Sequence, residues 1–264
     1  MTHKKHPLED RNFDDLALHF QSKIYNSMKG RLRLAVLRQD FNEYVTLESK
    51  RVLDIGAGQG QWALEMLRRG GEVHLTDMSE EMLALARINI TNADLTAEQK
   101  LRASFQKIPL QALAQQNYAP FDVVTCHAVL EWLDQPEEFF AGVDTLLVPG
   151  GLCSLVFYNI NGSIFKNLLR TNYAKVLARD FRGARGGLTP LHPPQPDQVR
   201  AWAEQWNYQV VCQSGIRVFH DYVLDRQDYK RAPDRVEQLE LLYSRQQPYR
   251  DLGRYIHLLL RKQH

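Results

Sequence analysis

Three glycines, Gly56, Gly58 and Gly60, stand at alternate positions directly behind the apolar run Val52, Leu53 and Ile55. Glycine lets the backbone come close to a bulky ligand, and a helix that begins beside it offers unpaired N–H groups to that ligand. Trp62, Ala63, Leu64, Met66 and Leu67 have the spacing of such a helix. An acid, Asp77, closes a second apolar run about twenty positions on, where a nucleotide-binding βα unit keeps its ribose partner. The implied chemistry is that of a nucleoside-bearing ligand held over a glycine turn.

Two ligands suit this arrangement. A dinucleotide is held by G-x-G-x-x-G, whose third glycine allows close packing of helix on strand. Here the spacing is G-x-G-x-G, and Gln61 takes the place of that third glycine. S-Adenosylmethionine has no diphosphate to cradle; its methionine portion lies over the glycines, and Asp77 suits both ribose hydroxyls. The spacing therefore favours S-adenosylmethionine over NAD.

Metal and thiol chemistry find little support. Cys126, Cys153 and Cys212 lie far apart in apolar runs, without Cys-x-x-Cys spacing, and read as reduced core residues. His3 and His6 beside two lysines read as a solvated tail, and no metal is expected. With 264 residues, 44% of them hydrophobic, the chain can bury a large core, and its net charge of +2 excludes no partner class. The opening residues lack the apolar stretch of a signal peptide, and no segment reaches membrane-spanning length. A soluble, cytoplasmic, single-domain protein spanning 1–264 is expected.

The elements that must position the loop alternate in type. Apolar spacing from Phe13 to Phe41 (Leu16, Phe20, Ile24, then Leu32, Leu34, Val36, Leu37) predicts two helices broken at Ser27–Gly30, forming an N-terminal helical cap over 1–48. Strands are expected at 52–55, 73–77, 101–105, 121–126 and 152–158, with helices between them and a turn at Phe105–Gln106. This rhythm implies an α/β fold with a parallel sheet and helices on both faces, which binds ligands at the carboxyl ends of its strands. Residues 159–195 interrupt it. Phe165, Leu168, Leu169, Tyr173 and Val176 form an apolar stripe between Lys166, Arg170, Lys175 and Arg179; Arg182 and Arg185 follow, then a Pro-rich connection. The stripe is expected to dock on the sheet and turn its charges outward. A helix near Val199 and strands at 208–213, 215–222 and 255–260 complete the chain, with a helix at 235–243.

Leu53-Asp-Ile-Gly-Ala-Gly-Gln-Gly60 resembles motif I of the class I methyltransferases. Further stretches extend the likeness along the chain: Asn12–Asp15, Lys29–Arg33, His127-Ala-Val-Leu-Glu-Trp132, Val156–Asn159, Gly215-Ile-Arg-Val-Phe-His-Asp-Tyr222 and Leu252-Gly-Arg-Tyr-Ile-His257. Together they resemble the tRNA 5-carboxymethoxyuridine methyltransferases. The resemblance implies a Rossmann-like, seven-stranded, mostly parallel sheet with an N-terminal helical cap and a basic insertion. It implies S-adenosylmethionine as cofactor, with contacts at Arg33, Gly56, Ala57, Gly58, Asp77, Phe105, Gln106 and His127. Ala57 departs from the family's glycine, and its methyl group is tolerable where backbone alone faces the ligand. Arg33, on the helical cap, suits the methionine carboxylate.

The implied reaction esterifies the carboxylate of 5-carboxymethoxyuridine at the wobble position, U34, giving 5-methoxycarbonylmethoxyuridine. Such an acid, with a pKa of about 4, is already ionised at neutral pH, so no general base is nominated. The acceptor instead needs a grip that leaves one oxygen free. Tyr158, Arg217, His220 and Arg254 are the candidates. For a tRNA anticodon stem-loop, Lys166, Arg170, Lys175, Arg179, Arg182 and Arg185 form the expected footprint. The alternatives are a methyltransferase for a small carboxylic acid or a quinone, an NAD-dependent oxidoreductase, and a non-catalytic tRNA-binding protein.

Overall fold

The computed structural model describes residues 27–181, 190, 193–224 and 232–264. The helix expected around Leu16, Phe20 and Ile24 lies outside these residues, as do Arg182 and Arg185. Helix α1 (Met28–Tyr44) runs straight through Gly30, which is buried inside it, so the expected break does not extend past Ser27. Its inner face buries Leu32, Val36, Leu37 and Phe41.

Strand β1 (Arg51–Ile55) leads through the glycine turn into helix α2 (Gln61–Arg68), which buries Trp62, Ala63, Met66 and Leu67. Strand β2 (Glu72–Asp77) follows, then helix α3 (Glu80–Asn92). The Ser79 side chain accepts from the Met82 N–H and caps α3, while Glu80 and Glu81 sit in its first turn, where the helix dipole favours acids. Thr96 and Gln99 form a reciprocal capping box that nucleates helix α4 (Ala97–Leu101). That box displaces strand β3 to Ala103–Lys107, two residues later than its predicted start.

Helix α5 (Leu110–Leu113), strand β4 (Phe121–His127), helix α6 (Phe139–Leu146) and strand β5 (Leu147–Tyr158) continue the alternation. Pro149–Gly151 is taken up inside β5 as an irregularity: Leu147 pairs with Phe121, and Leu152 with Val123. Helices α7 (Ile160–Leu169), α8 (Tyr173–Leu177) and α9 (Pro196–Gln205) precede strand β6 (Tyr208–Ile216), helix α10 (Pro233–Tyr243) and strand β7 (Tyr255–Lys262).

The seven strands form one sheet in the order β3-β2-β1-β4-β5-β7-β6. β1 to β5 pair in parallel; β7 is antiparallel to both β5 and β6. Apolar cores cover both faces, one built on Phe139, Phe140 and Phe157, the other on Phe41, Met66 and Leu83. The chain leaves β1 toward β2 and returns on the opposite side at β4. That reversal opens a crevice at the strands' carboxyl ends, beside the glycine turn.

Two expectations fail here for local reasons. The second predicted strand, 215–222, does not form: β6 ends at Ile216, Arg217 takes φ +59°, and His220–Tyr222 is a 3-10 turn. The apolar stripe of the insertion does not dock as one face. Thr171, at φ +58°, splits it into α7 and α8, leaving Leu168, Leu169 and Tyr173 exposed. Among the described residues no helix is long and apolar enough to cross a membrane.

Candidate active site

A cavity of about 400 Å³ opens at the carboxyl edge of the sheet between the glycine turn and the start of β7. One half is built by β1, β2 and β4. Gly56 and Gly58 take φ +64° and +54°, and a Cβ on Gly56 would come within 2.3 Å of Val129 Cγ2. Asp77, at the end of β2, accepts the Gly58 N–H on Oδ2 and the Ser79 N–H on Oδ1, both at 2.9 Å. The acid thus braces the turn beside which it stands. Arg33 reaches the same space from α1 and has no ion pair among the described residues.

This half contains acids the sequence analysis did not nominate. Asp54, in β1, accepts the Thr125 hydroxyl on Oδ1 at 2.6 Å, while its Oδ2 is buried without a partner. Glu131, just past β4, has Oε2 in the same condition. Burial pushes both carboxyls up to about 7, against the pull of the Thr125 hydroxyl on Asp54 and of backbone N–H groups on Glu131. His127 ends β4 with its Nδ1 also buried and unpartnered. Burial, then the positive charge of Arg33, lowers its pKa well below the ordinary histidine value.

The other half is cationic. Antiparallel pairing sets Tyr255 opposite both Tyr158 and Ile216, so the ends of β5 and β6 meet the start of β7. Tyr158, Arg217 and Arg254 consequently converge, although they lie far apart in sequence. Asp221 Oδ2 has three cations around it: Arg217 Nη2 at 3.5 Å, Lys166 Nζ at 3.6 Å and Arg254 Nε at 3.7 Å. These cations hold the Asp221 carboxyl far below its usual range despite its burial. One acid against three bases leaves the group net positive. Arg217 Nε and the Tyr158 hydroxyl are buried without partners, and the Arg254 guanidinium lies 4.4 Å from the Tyr158 ring centroid. Glu240 accepts the N–H groups of Val218, Phe219 and His220 at 2.6, 3.2 and 2.7 Å, which holds the loop that carries Arg217.

Of the residues expected at the site, Arg33, Gly56, Ala57, Gly58, Asp77, His127, Tyr158, Arg217 and Arg254 all line this one cavity. Phe105 and Gln106 do not: they lie within β3 rather than in a turn. The Gln106 side chain meets Tyr118 and His74, and Arg87 covers the Phe105 ring. Ile108, Pro109 and Leu110 take their place along the wall. His220 sits behind Asp221, with Nδ1 3.3 Å from Oδ1, and does not line the cavity.

Lys166 is corrected from the outer footprint to the cavity wall. The register of α7 points it inward to Asp221, and burial pushes its pKa down to about 8. Arg170 and Arg179 are exposed and Lys175 is half-buried. The T-x-x-Q pattern at 96–99 is the signal that would have placed β3 correctly; no local pattern announces the pairing of Lys166 with Asp221.

The residues fit S-adenosylmethionine. Buried acceptors without partners suit a ligand bearing ammonium and sulfonium charge, and Arg33 suits its carboxylate. Asp77 places a carboxylate acceptor in the same cavity, at the end of β2. Among the described residues no three His, Cys, Asp or Glu side chains group to hold a metal.

The methyltransferase domain family matches residues 53–155. The tRNA 5-carboxymethoxyuridine methyltransferase of Escherichia coli (strain K12) is 37% identical over 261 residues, covering 97% of this chain and 97% of its own. A ubiquinone biosynthesis O-methyltransferase of Psychrobacter arcticus is 38% identical over 115 residues, 44% of this chain and 43% of its own. Among solved structures, magnesium protoporphyrin IX methyltransferase from Synechocystis PCC 6803 with bound SAH superposes with a TM-score of 0.61 at 15% identity, covering 95% of this chain and 96% of that one. An S-adenosylmethionine dependent methyltransferase from Mesorhizobium loti gives 0.54 at 14% identity, over 90% and 100%. The two structures bear on the fold alone.

Proposed function

The chain belongs to the tRNA 5-carboxymethoxyuridine methyltransferase family, and from that premise we propose how its cavity serves the reaction. It is an S-adenosylmethionine-dependent methyltransferase that esterifies the carboxylate of 5-carboxymethoxyuridine in tRNA, producing 5-methoxycarbonylmethoxyuridine. We infer that the nucleoside is presented at the wobble position of an anticodon stem-loop, in the cytoplasm. One observation carries the division of labour: a net-positive group of Lys166, Arg217 and Arg254 faces the glycine turn across a single cavity.

When bound, the cofactor supplies a methyl group on a sulfonium, which a carboxylate oxygen takes up as the carbon–sulfur bond breaks. Arg33 pairs with the methionine carboxylate, the glycine turn lies against the methionine portion, and Asp77 accepts from the ribose. Asp54 and Glu131 meet the ligand's positive charge, and Ile108 and Pro109 flank the adenine. Across the cavity Arg217 and Tyr158, with their orphaned donors, hold one oxygen of the acceptor. Arg254 and Lys166 complete the positive field. No group removes a proton, because the acceptor arrives ionised.

Rate then comes from placing the free oxygen in line with the methyl group and from keeping water out. Tyr158 and Tyr255, whose ring centroids lie 5.4 Å apart, wall the acceptor half. Outside the cavity Arg170 and Arg179 are exposed cations for tRNA phosphates, with the half-buried Lys175 between them; Arg182 and Arg185 follow in sequence.

Wobble nucleosides from cells lacking this protein test the assignment. Free 5-carboxymethoxyuridine accumulates and its methyl ester disappears; an unchanged ester level overturns it.

A further inference from the structure

Behind the cavity wall a continuous polar chain crosses the sheet and ends on His127. Asp40 on α1, Ser154 on β5 and His257 on β7 are fully buried. His257 Nδ1 lies 2.7 Å from Asp40 Oδ2, and Ser154 Oγ lies 3.0 Å from His257 Nε2. His127 Nε2 lies 2.8 Å from the same Oγ. Buried polar groups come paired, and this chain is paired throughout except at its cavity end, His127 Nδ1.

The direction of each bond follows from Asp40. Its Oδ1 accepts from Ser214 Oγ at 2.9 Å and from Arg245 Nε and Nη2 at 3.0 and 2.7 Å, which leaves Oδ2 to His257. Burial alone would raise the Asp40 carboxyl, but the bonds from His257, Arg245 and Ser214 outweigh it, so Asp40 is an anion that only accepts. His257 must therefore carry its proton on Nδ1. In the neutral imidazole a proton on Nδ1 leaves Nε2 to accept from the Ser154 hydroxyl. That hydroxyl has one hydrogen, so its oxygen accepts from His127 Nε2–H.

We propose that the Asp40–His257–Ser154 chain locks His127 in the tautomer protonated on Nε2, leaving the Nδ1 lone pair as a fixed acceptor for the ammonium group of the bound cofactor. The inference rests on the cofactor reading of the cavity given above. None of the three residues lines the cavity, so they are positioning residues acting through His127. Trp62 and Phe41 wall the relay, with Trp62 5.6 Å from the His127 ring and Phe41 6.4 Å from that of His257. Packed aromatic walls keep both rings from turning to an alternative partner.

Imidazole 15N–1H correlation spectra of the full chain without cofactor read the tautomers directly. In the wild type, His127 is protonated on Nε2 and His257 on Nδ1; a proton on His127 Nδ1 overturns the proposal. Asp40→Asn inverts the chain: the amide oxygen stays with Arg245 and Ser214, its NH2 faces His257 Nδ1, and the proton at His127 moves to Nδ1. S-Adenosylhomocysteine then binds about tenfold or more weakly, because a donor faces its ammonium group. Ser154→Ala cuts the chain, leaves His127 in mixed tautomers and weakens the same ligand. Unchanged affinity in Ser154→Ala overturns the positioning role. Should Asp40→Asn fail to fold, the wild-type spectrum and Ser154→Ala still decide. A wild type with both tautomers as assigned that binds no S-adenosylhomocysteine overturns the cofactor's part in the proposal, while the tautomer lock stands.

Discussion

Asp77 Oδ2 and the Gly58 N–H are joined by a 2.9 Å hydrogen bond, so the acid at the end of β2 braces the turn at the end of β1. One carboxylate thereby shapes the loop and faces the cavity. Asp77→Ala is expected to weaken S-adenosylmethionine by about 2–3 kcal/mol and to lower Tm, since bonds to charged acceptors carry roughly that much. Asp77→Asn keeps one acceptor and falls between. Calorimetric titration beside thermal unfolding separates the two effects; an Ala variant of wild-type affinity contradicts the ligand role, and one of wild-type Tm contradicts the brace.

Gly56 has two reasons to be glycine. Its φ is +64°, and a Cβ would meet Val129 Cγ2 at 2.3 Å. Gly56→Ala should cost about 2–4 kcal/mol of stability, combining backbone strain with overpacking. Adding Val129→Ala relieves the clash and not the strain, so denaturant titration of the double variant should recover only part of the loss. Full recovery would show that φ contributes nothing.

The acids of the cofactor half titrate near neutrality. Burial raises Asp54 and Glu131 to about 7, so between their unfolded values, roughly 4, and pH 7 the folded state binds more protons. Stability contributed by these groups therefore falls as pH rises through that window. Ligand binding has the opposite sign, because an ammonium group favours the carboxylate form. Affinity for S-adenosylmethionine should rise from pH 6 to pH 8, with proton release near pH 6.5 measured by calorimetry in buffers of different ionisation enthalpy. Proton uptake would refute the pairing.

Across the cavity the sign differs. Burial lowers Lys166 to about 8, so its charge fades above that pH and with it part of the grip on an anionic acceptor. KM for the modified tRNA should rise between pH 8 and 9 while cofactor affinity holds. Lys166→Met should remove this dependence. Arg217→Lys should cost about 2 kcal/mol in kcat/KM, since an ammonium group cannot reproduce the guanidinium fork. Steady-state kinetics at both pH values decides; equal losses of cofactor and tRNA affinity in Arg217→Lys would place the residue outside the acceptor grip.

The cations outside the cavity should act on tRNA alone. Replacing Arg170, Lys175 and Arg179 together is expected to weaken tRNA binding and flatten the dependence of log K on log[salt] by about two to three units, as lost phosphate contacts dictate. An unaltered slope removes this surface from the tRNA interface.

The cofactor half was readable because its signals are local. Gly56 to Gly60 and Asp77 sit at strand ends, and strand ends are where the parallel topology gathers ligand contacts. Tyr158, Arg217 and Arg254 were legible from strand ends and from the family motifs; that they converge follows only from the antiparallel course of β7. Lys166 was misplaced because its spacing to Arg170 describes one helix face, whereas its burial depends on Asp221, far along the chain. Asp54 passed unnoticed as a strand residue; only the sheet's reversal between β1 and β4 turns its carboxylate to the cavity. Phe105 and Gln106 slipped because the Thr96–Gln99 capping box shifted β3. The relay behind His127 draws one residue from each of three elements, and no sequence spacing encodes it.

The most direct test uses the purified chain, tRNA carrying 5-carboxymethoxyuridine, and S-adenosylmethionine labelled in its methyl group. Digestion and mass spectrometry of the nucleosides should find 5-methoxycarbonylmethoxyuridine bearing the label, and only trace product with Arg217→Ala. Unchanged 5-carboxymethoxyuridine after incubation with protein that binds the cofactor would contradict the account.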